Sequence, residues 1–398
     1  MIHTTTKTHS RLATIIVAFN AGSRVESLTG YNSGIAHMLE HCIFKGTPTR
    51  SPLEINRQIA YLGGSVNAHT SNEEVQYYIT APVENIDSCL EIMSDIVLNS
   101  MIPDDEFLKE KEVVKEEEIS RNDSVYSFIW EKFAESFFDN YLATPVIGTQ
   151  ETISKFTSEE VRAFYKAYCS PSHAVVSMCS NLSKKDSAAL LRKHFGKPTG
   201  KIKSVGKFEL STYKPSATLE ITKQGIEHTY VFMGMPASPR NGKRGGPQDI
   251  LSAIMGSGMD SRLFTEVREK AGLVYSIGCS GLEQEGGACT MIHFSTRDTN
   301  VQNALKIIDE QLNLIKSEPP SEEEVQRAKN KIKASFYEAN ESSHAIAAWS
   351  VKEKLLGYPT IGEYLEGIDK VTPDDVMKSA NELYGHDQRL TLICRGEE

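Results

Sequence analysis

The sequence predicts an α+β fold built from two homologous domains, each a sheet packed with helices. Three observations predict it. The chain has 398 residues, too many for one hydrophobic core. Apolar runs of strand length alternate with long helical segments. One pattern occurs twice at a nearly constant offset. Pro103-Asp104-Asp105-Glu106 opens a helical stretch through Val113, Val114 and Glu117, and Pro320-Ser321-Glu322-Glu323 opens its counterpart through Val325, Ile332 and Phe336, 217 residues later. Ile153-Ser154-Lys155-Phe156-Thr157-Ser158-Glu159-Glu160-Val161 likewise matches Ile368-Asp369-Lys370-Val371-Thr372-Pro373-Asp374-Asp375-Val376 at an offset of 215. In both, Thr followed by Ser or Pro and two acids is a capped helix start.

In chain order, residues 1–10 are polar and Thr-rich, and 13–19 reads as the first strand. A helix carrying residues 37–41 follows, with Asn32 or Ser33 as its cap. A strand at 75–80, a helix at 106–120 and a strand at 174–178 complete the first copy. Residues 196–216 are rich in Pro, Gly, Lys and Ser and lack helical periodicity, which marks a linker, although Phe208-Glu209-Leu210 is apolar enough to pack on a domain. Strands at 229–234, 288–295 and 390–394 belong to the second copy. The expected division is 1–200, a linker at 201–216, and 217–398.

Composition narrows the function classes. Hydrophobic content of 39% and charged content of 24% are those of a soluble globular protein. The formal net charge of -10, with no basic tract, excludes nucleic acid as a main partner. No apolar run approaches the roughly 18 residues that cross a bilayer, so no membrane partner is expected. The N-terminal residues carry no apolar run of signal-peptide type. Seven scattered cysteines with no C-x-x-C pair fit a reducing compartment, so the expected localisation is cytoplasmic.

His37 and His41 are four apart, which on a helix places both imidazoles on one face, where they can grip one metal ion. Glu40 approaches the same face without the geometry to join that pair on the ion. It can take a proton from a water held there, the general-base role. This H-x-x-E-H order inverts the commoner H-E-x-x-H. Two histidines need a third protein ligand. The acid-rich helix at 106–120 offers Glu110, Glu112, Glu116, Glu117 and Glu118, mostly a solvated face. Glu110 and Glu117, two turns apart, share a face with Val113 and Val114. At offset 217 these two acids become Arg327 and Ala334, and the second copy has no H-x-x-E-H. Helix and acids are therefore separable, and the acids go with the histidines.

With these residues in place, the chain resembles the pitrilysin and mitochondrial-processing-peptidase family over nearly its whole length. The resemblance rests on Ala21-Gly22-Ser23-Arg24, Gly34 through His41, Phe44-Lys45-Gly46-Thr47, Gly63-Gly64-Ser65-Val66-Asn67-Ala68 and the run Glu110 to Glu117. In the second copy it rests on Gly256-Ser257-Gly258-Met259-Asp260-Ser261-Arg262-Leu263-Phe264 and the run Val267 to Ser276. It implies one Zn2+ per chain, bound by His37, His41 and Glu117. The family's interval of about 76 residues between second histidine and glutamate ligand selects Glu117 over Glu116 and Glu118. Glu110 matches an acid that assists the site. Arg268 and Tyr275, seven apart, match a pair that reaches the substrate and can hydrogen-bond the scissile carbonyl. Asn67, Ala68, His69 and Thr70 resemble a substrate-facing edge strand that takes an extended peptide by strand addition. Glu73 is implied as an acid orienting a ligand histidine. Cys42, where the family often has Met, is expected as a core thiol.

The resemblance also implies half of a peptidase clamshell, completed by a homodimer around peptide substrates. The family's strand before 13–19 is expected to be missing or shortened, leaving a smaller first sheet. The implied function is a zinc metalloendopeptidase that cleaves peptides or unfolded polypeptide segments inside a closed chamber, with Glu40 activating a water held by the zinc. Two other functions fit the sequence less well. A non-catalytic subunit of the same fold would lack one motif set, and this chain carries both. A zinc-stabilised binding protein would fill every coordination position with ligands and have no use for Glu40.

Overall fold

Along β2 (Leu12–Phe19) nearly every side chain is buried, because both faces of its sheet are covered. Ile15, Val17 and Phe19 point into a large core shared with the helices Ile35–Cys42, Ile86–Asn99 and Lys184–Phe195. Ile16 and Ala18 point the other way, onto Ala347 and Val351 of the helix Ser343–Leu356. This is a computed structural model, and it describes residues 1–214, 216–239, 246–385 and 387–397. Pro215 of the expected linker and His386, which has no ligand spacing in the sequence, lie outside the described residues.

The first sheet also contains β1 (Ile2–Lys7), β3 (Ser65–Thr70), β4 (Val75–Pro82) and β5 (Ala174–Ser180), in the order β1-β5-β2-β4-β3. β1 runs parallel to β5 from Ile2 opposite Val175 to Lys7 opposite Ser180. The strand expected to be missing or shortened is therefore present, six residues long, and the sheet has five members. Its run of Thr4, Thr5 and Thr6 is polar but β-branched, which suits an edge strand with one partner.

The second sheet repeats the plan. β6 (Ala217–Lys223), β7 (Thr229–Pro236), β8 (Val274–Gln284), β9 (Gly287–Thr296) and β10 (Leu390–Gly396) lie in the order β6-β10-β7-β9-β8, again with one parallel pair, β6 with β10. The equivalence of the two strand orders is the structural form of the sequence repeat.

The expected domains are contiguous in sequence; the compact units are not. One comprises Met1–Arg121, Thr144–Phe208 and Glu338–Tyr358, the other Asn122–Ala143, Glu209–Tyr337 and Pro359–Glu398. The helix Ser343–Leu356 packs on β1, β2 and β5. The helix Val125–Phe137 packs on β7 and β10. Its Phe133 lies so close over β7 that a Cβ at Gly234 would stand 2.1 Å from the ring. The unit boundary within the linker falls after Phe208, whose ring carries the Arg24 guanidinium 4.6 Å above it. Among the described residues no helix is long and apolar enough to cross a membrane.

Candidate metal and catalytic site

The helix Ile35–Cys42 buries Ile35, Ala36, Met38, Leu39 and Cys42, leaving His37, Glu40 and His41 on its less buried face. Burial pushes the Cys42 thiol up to about 12, as expected of a core thiol. Neither Asn32 nor Ser33 caps the helix. The N-cap is Gly34, at φ +97°, where a Cβ would meet the Ile147 carbonyl oxygen at 2.4 Å. The orphan N–H groups go instead to Glu26, whose Oε2 accepts from Gly34 N at 3.0 Å and Oε1 from Ala36 N at 2.9 Å. Burial drives the Glu26 carboxyl up to about 8 against these two hydrogen bonds. No local pattern announces this cap, because its donor and acceptor lie eight and ten residues apart across a loop.

The long helix Asp104–Asp123 brings Glu117 to the histidines. Glu117 Oε2 lies 3.2 Å from His41 Nε2, and Oε1 lies 3.7 Å from His37 Nε2. One ligand atom from each of the three residues falls within 4.8 Å of the others. A tetrahedral ion with bonds of about 2.0–2.1 Å has ligand-to-ligand edges of about 3.4 Å, so two imidazoles and a carboxylate so spaced fit zinc, and three protein ligands are the number found in catalytic zinc sites. Burial and the neighbouring His41 hold His37 down to about 4, which keeps its lone pair free at neutral pH. Burial also pulls His41 down, but the Glu117 and Glu110 carboxylates outweigh it and hold it above its ordinary value. Val113, expected on this face, is 48% exposed, while Val114 is buried.

Glu40 is partly buried, and burial raises its carboxyl above the usual range against a hydrogen bond donated by the Thr70 hydroxyl. Thr70 ends the edge strand β3. Strand alternation divides the four residues assigned to substrate: Ala68 packs toward the core and Thr70 is tied to Glu40, whereas Asn67 and His69 are exposed on the opposite face. Glu73, expected to orient a histidine, pairs with Arg24. Its Oε1 accepts from Arg24 Nη1 at 3.0 Å, and both side chains are 3% exposed. Glu110 reaches the other nitrogen of the His41 ring, its Oε2 lying 3.2 Å from Nδ1.

In the second unit, Arg268 sits in the π-helical segment Phe264–Lys270, and Tyr275 in β8. The Arg268 guanidinium stands 4.5 Å from the Phe264 ring centroid and 5.7 Å from that of Tyr275. The ladder with β9 slips between Val274 and Ser276, so Tyr275 is the extra residue of a bulge and turns outward, 76% exposed. The pair is thus brought together on an irregular edge, with donors available to a ligand.

The family model described as "Insulinase (Peptidase family M16)" matches residues 1–150, which include His37, His41 and Glu117. The model described as "Peptidase M16 inactive domain" matches residues 155–332. An uncharacterised zinc protease of Streptomyces coelicolor is 30% identical to this chain over 96% of it and 85% of its own length. An uncharacterised zinc protease of Bacillus subtilis is also 30% identical, over 96% of this chain and 93% of its own. A protease from Helicobacter pylori shares the fold at a TM-score of 0.89 and 24% identity, covering 98% of this chain and 96% of that one. A Pseudomonas fluorescens structure described as a peptidase M16 inactive domain does so at 0.88 and 17%, covering 100% and 95%.

Proposed function

We propose, from the premise that the chain belongs to peptidase family M16, that it is a zinc-dependent endopeptidase acting on peptides or unfolded polypeptide segments. One zinc ion per chain would be held by His37, His41 and Glu117. The observation that carries the proposal is Glu40. A purely structural site has no use for a partly buried carboxylate beside its ligands, held by a hydroxyl and with its acidity weakened by burial. Zinc supplies Lewis-acid polarisation of the carbonyl and raises the acidity of water. Glu40 takes the proton from the attacking water and returns it to the leaving amine.

The free edge of β3 offers main-chain groups to an extended segment, which favours unfolded over folded substrates. Arg268 and Tyr275 act as hydrogen-bond donors to the carbonyl oxygen as charge develops on it. The working form is a cytoplasmic homodimer in which the Arg268 and Tyr275 of one subunit serve the zinc of the other and close a chamber around the substrate. The test is incubation of the zinc-loaded protein with a mixed peptide library and mapping of the cuts by mass spectrometry. Internal cleavages that vanish in Glu40→Gln while zinc is retained are expected. Cleavage by Glu40→Gln at near the parent rate would refute the role of Glu40, and zinc binding without any cleavage would favour a binding protein.

A further inference from the structure

The turn that follows the helix Ile35–Cys42 carries a cation directed at the neighbouring helix Asp104–Asp123. Lys45 Nζ lies 2.6 Å from Glu110 Oε1, and the other oxygen of that carboxylate lies 3.2 Å from His41 Nδ1. The far nitrogen of the same ring, Nε2, faces Glu117 at 3.2 Å. Both oxygens of Glu110 are therefore engaged, one by an ammonium and one by the imidazole. A rotation of the carboxylate that abandoned His41 would also break the ion pair. The Lys45 and Glu110 side chains are only 24% and 12% exposed, so their charges are less screened than those of a surface pair.

The backbone that carries Lys45 is itself pinned. Lys45 N donates to Cys42 O at 3.1 Å, and Met101 N donates to Gly46 O at 3.0 Å. Just beyond, Asp95 Oδ2 accepts from Thr47 Oγ1 at 2.7 Å, Thr49 Oγ1 at 2.9 Å and Arg50 Nη1 at 2.6 Å. The ammonium is thus delivered to Glu110 from a fixed base, next to the helix whose ligand it supports.

We infer that Lys45 is a positioning residue of the metal centre: through Glu110 it holds the His41 ring with Nδ1 engaged and Nε2 presented to the ion. This rests on the metal reading above. A carboxylate on the distal nitrogen of a ligand histidine fixes ring orientation and tautomer, and loss of such support costs about 10- to 100-fold in metal affinity. A lysine suits the task because it pairs the charge of a half-buried acid without competing for the metal.

The test measures zinc affinity of the full chain by competition with a chromophoric chelator. Lys45→Met keeps the aliphatic stem and removes the ammonium, and should weaken zinc about 10- to 100-fold. In a Glu110→Gln background the same substitution should cost no more than about twofold, because the path through Glu110 is already cut. Lys45→Arg retains the cation and should stay within about threefold of the parent; it decides the matter if Lys45→Met does not fold. Parent-like affinity in Lys45→Met, an undiminished loss in the Glu110→Gln background, or a Lys45→Arg as weak as expected for Lys45→Met would each overturn the inference alone. A parent protein that takes up no zinc would overturn the metal reading and this inference with it.

Discussion

Glu26→Ala removes the buried carboxyl that caps the helix Ile35–Cys42 from a distance. The side chain is 3% exposed, and its two oxygens accept from Gly34 N and Ala36 N at 3.0 and 2.9 Å. Alanine leaves both N–H groups buried without a partner at about 1–3 kcal/mol each, so the first unit should lose roughly 2–6 kcal/mol. Glu26→Gln keeps one carbonyl acceptor and should lose about half of that. The carboxyl is raised from 4.5 to about 8, so between these values the folded state holds a proton that the unfolded state releases. Its contribution is therefore fully present below the unfolded value and is lost as pH rises through about 8, with a limiting slope of about 1.4 kcal/mol per pH unit. Glu26→Gln should remove that slope. The assay is urea unfolding of the metal-free protein in a Trp130→Phe background. The chain has two tryptophans, and Trp349, in the helix Ser343–Leu356 of the first unit, then reports that unit alone. A Glu26→Ala protein within about 0.5 kcal/mol of its background, or an unchanged pH slope in Glu26→Gln, would refute the reasoning.

Glu117→Ala should weaken zinc binding at least about tenfold more than Glu116→Ala or Glu118→Ala, since Glu117 reaches both histidines whereas Glu118 accepts from Gln150 at 2.7 Å; equal metal content after dialysis in all three would count against it. In the metal-free site His41 is held above its ordinary value and His37 far below, so at pH below the raised His41 value zinc must displace a proton from His41. Apparent zinc affinity should then fall about tenfold per pH unit as pH drops below the raised His41 value, and competition titrations showing a flat profile from pH 5.5 to 8 would contradict this. Mixing Glu40→Gln with Tyr275→Phe subunits should restore part of the lost peptidase activity if the Arg268 and Tyr275 pair acts across a dimer, and no recovery despite demonstrated subunit exchange would rule that out.

Relations between residues a few positions apart on one element are legible in the sequence alone. The i, i+3, i+4 pattern of His37, Glu40 and His41 needs only helical geometry, and the strands at 13–19, 75–80 and 174–178 need only short apolar, β-branched runs of strand length. The twofold plan was also legible, because copies of one unit retain their caps and apolar spacing. Tertiary structure decided what depends on residues far apart in the chain. It paired β1 with β5, 173 residues away at Ile2 and Val175, which polar composition had disguised. It laid the helix Ser343–Leu356 on the first sheet and Val125–Phe137 on the second, a choice that periodicity leaves open because an amphipathic face does not name its partner. It gave Glu73 to Arg24, Glu110 to both Lys45 and His41, and the helix start to Glu26. Such contacts form when packing brings side chains together from separate elements, and no local periodicity records that meeting.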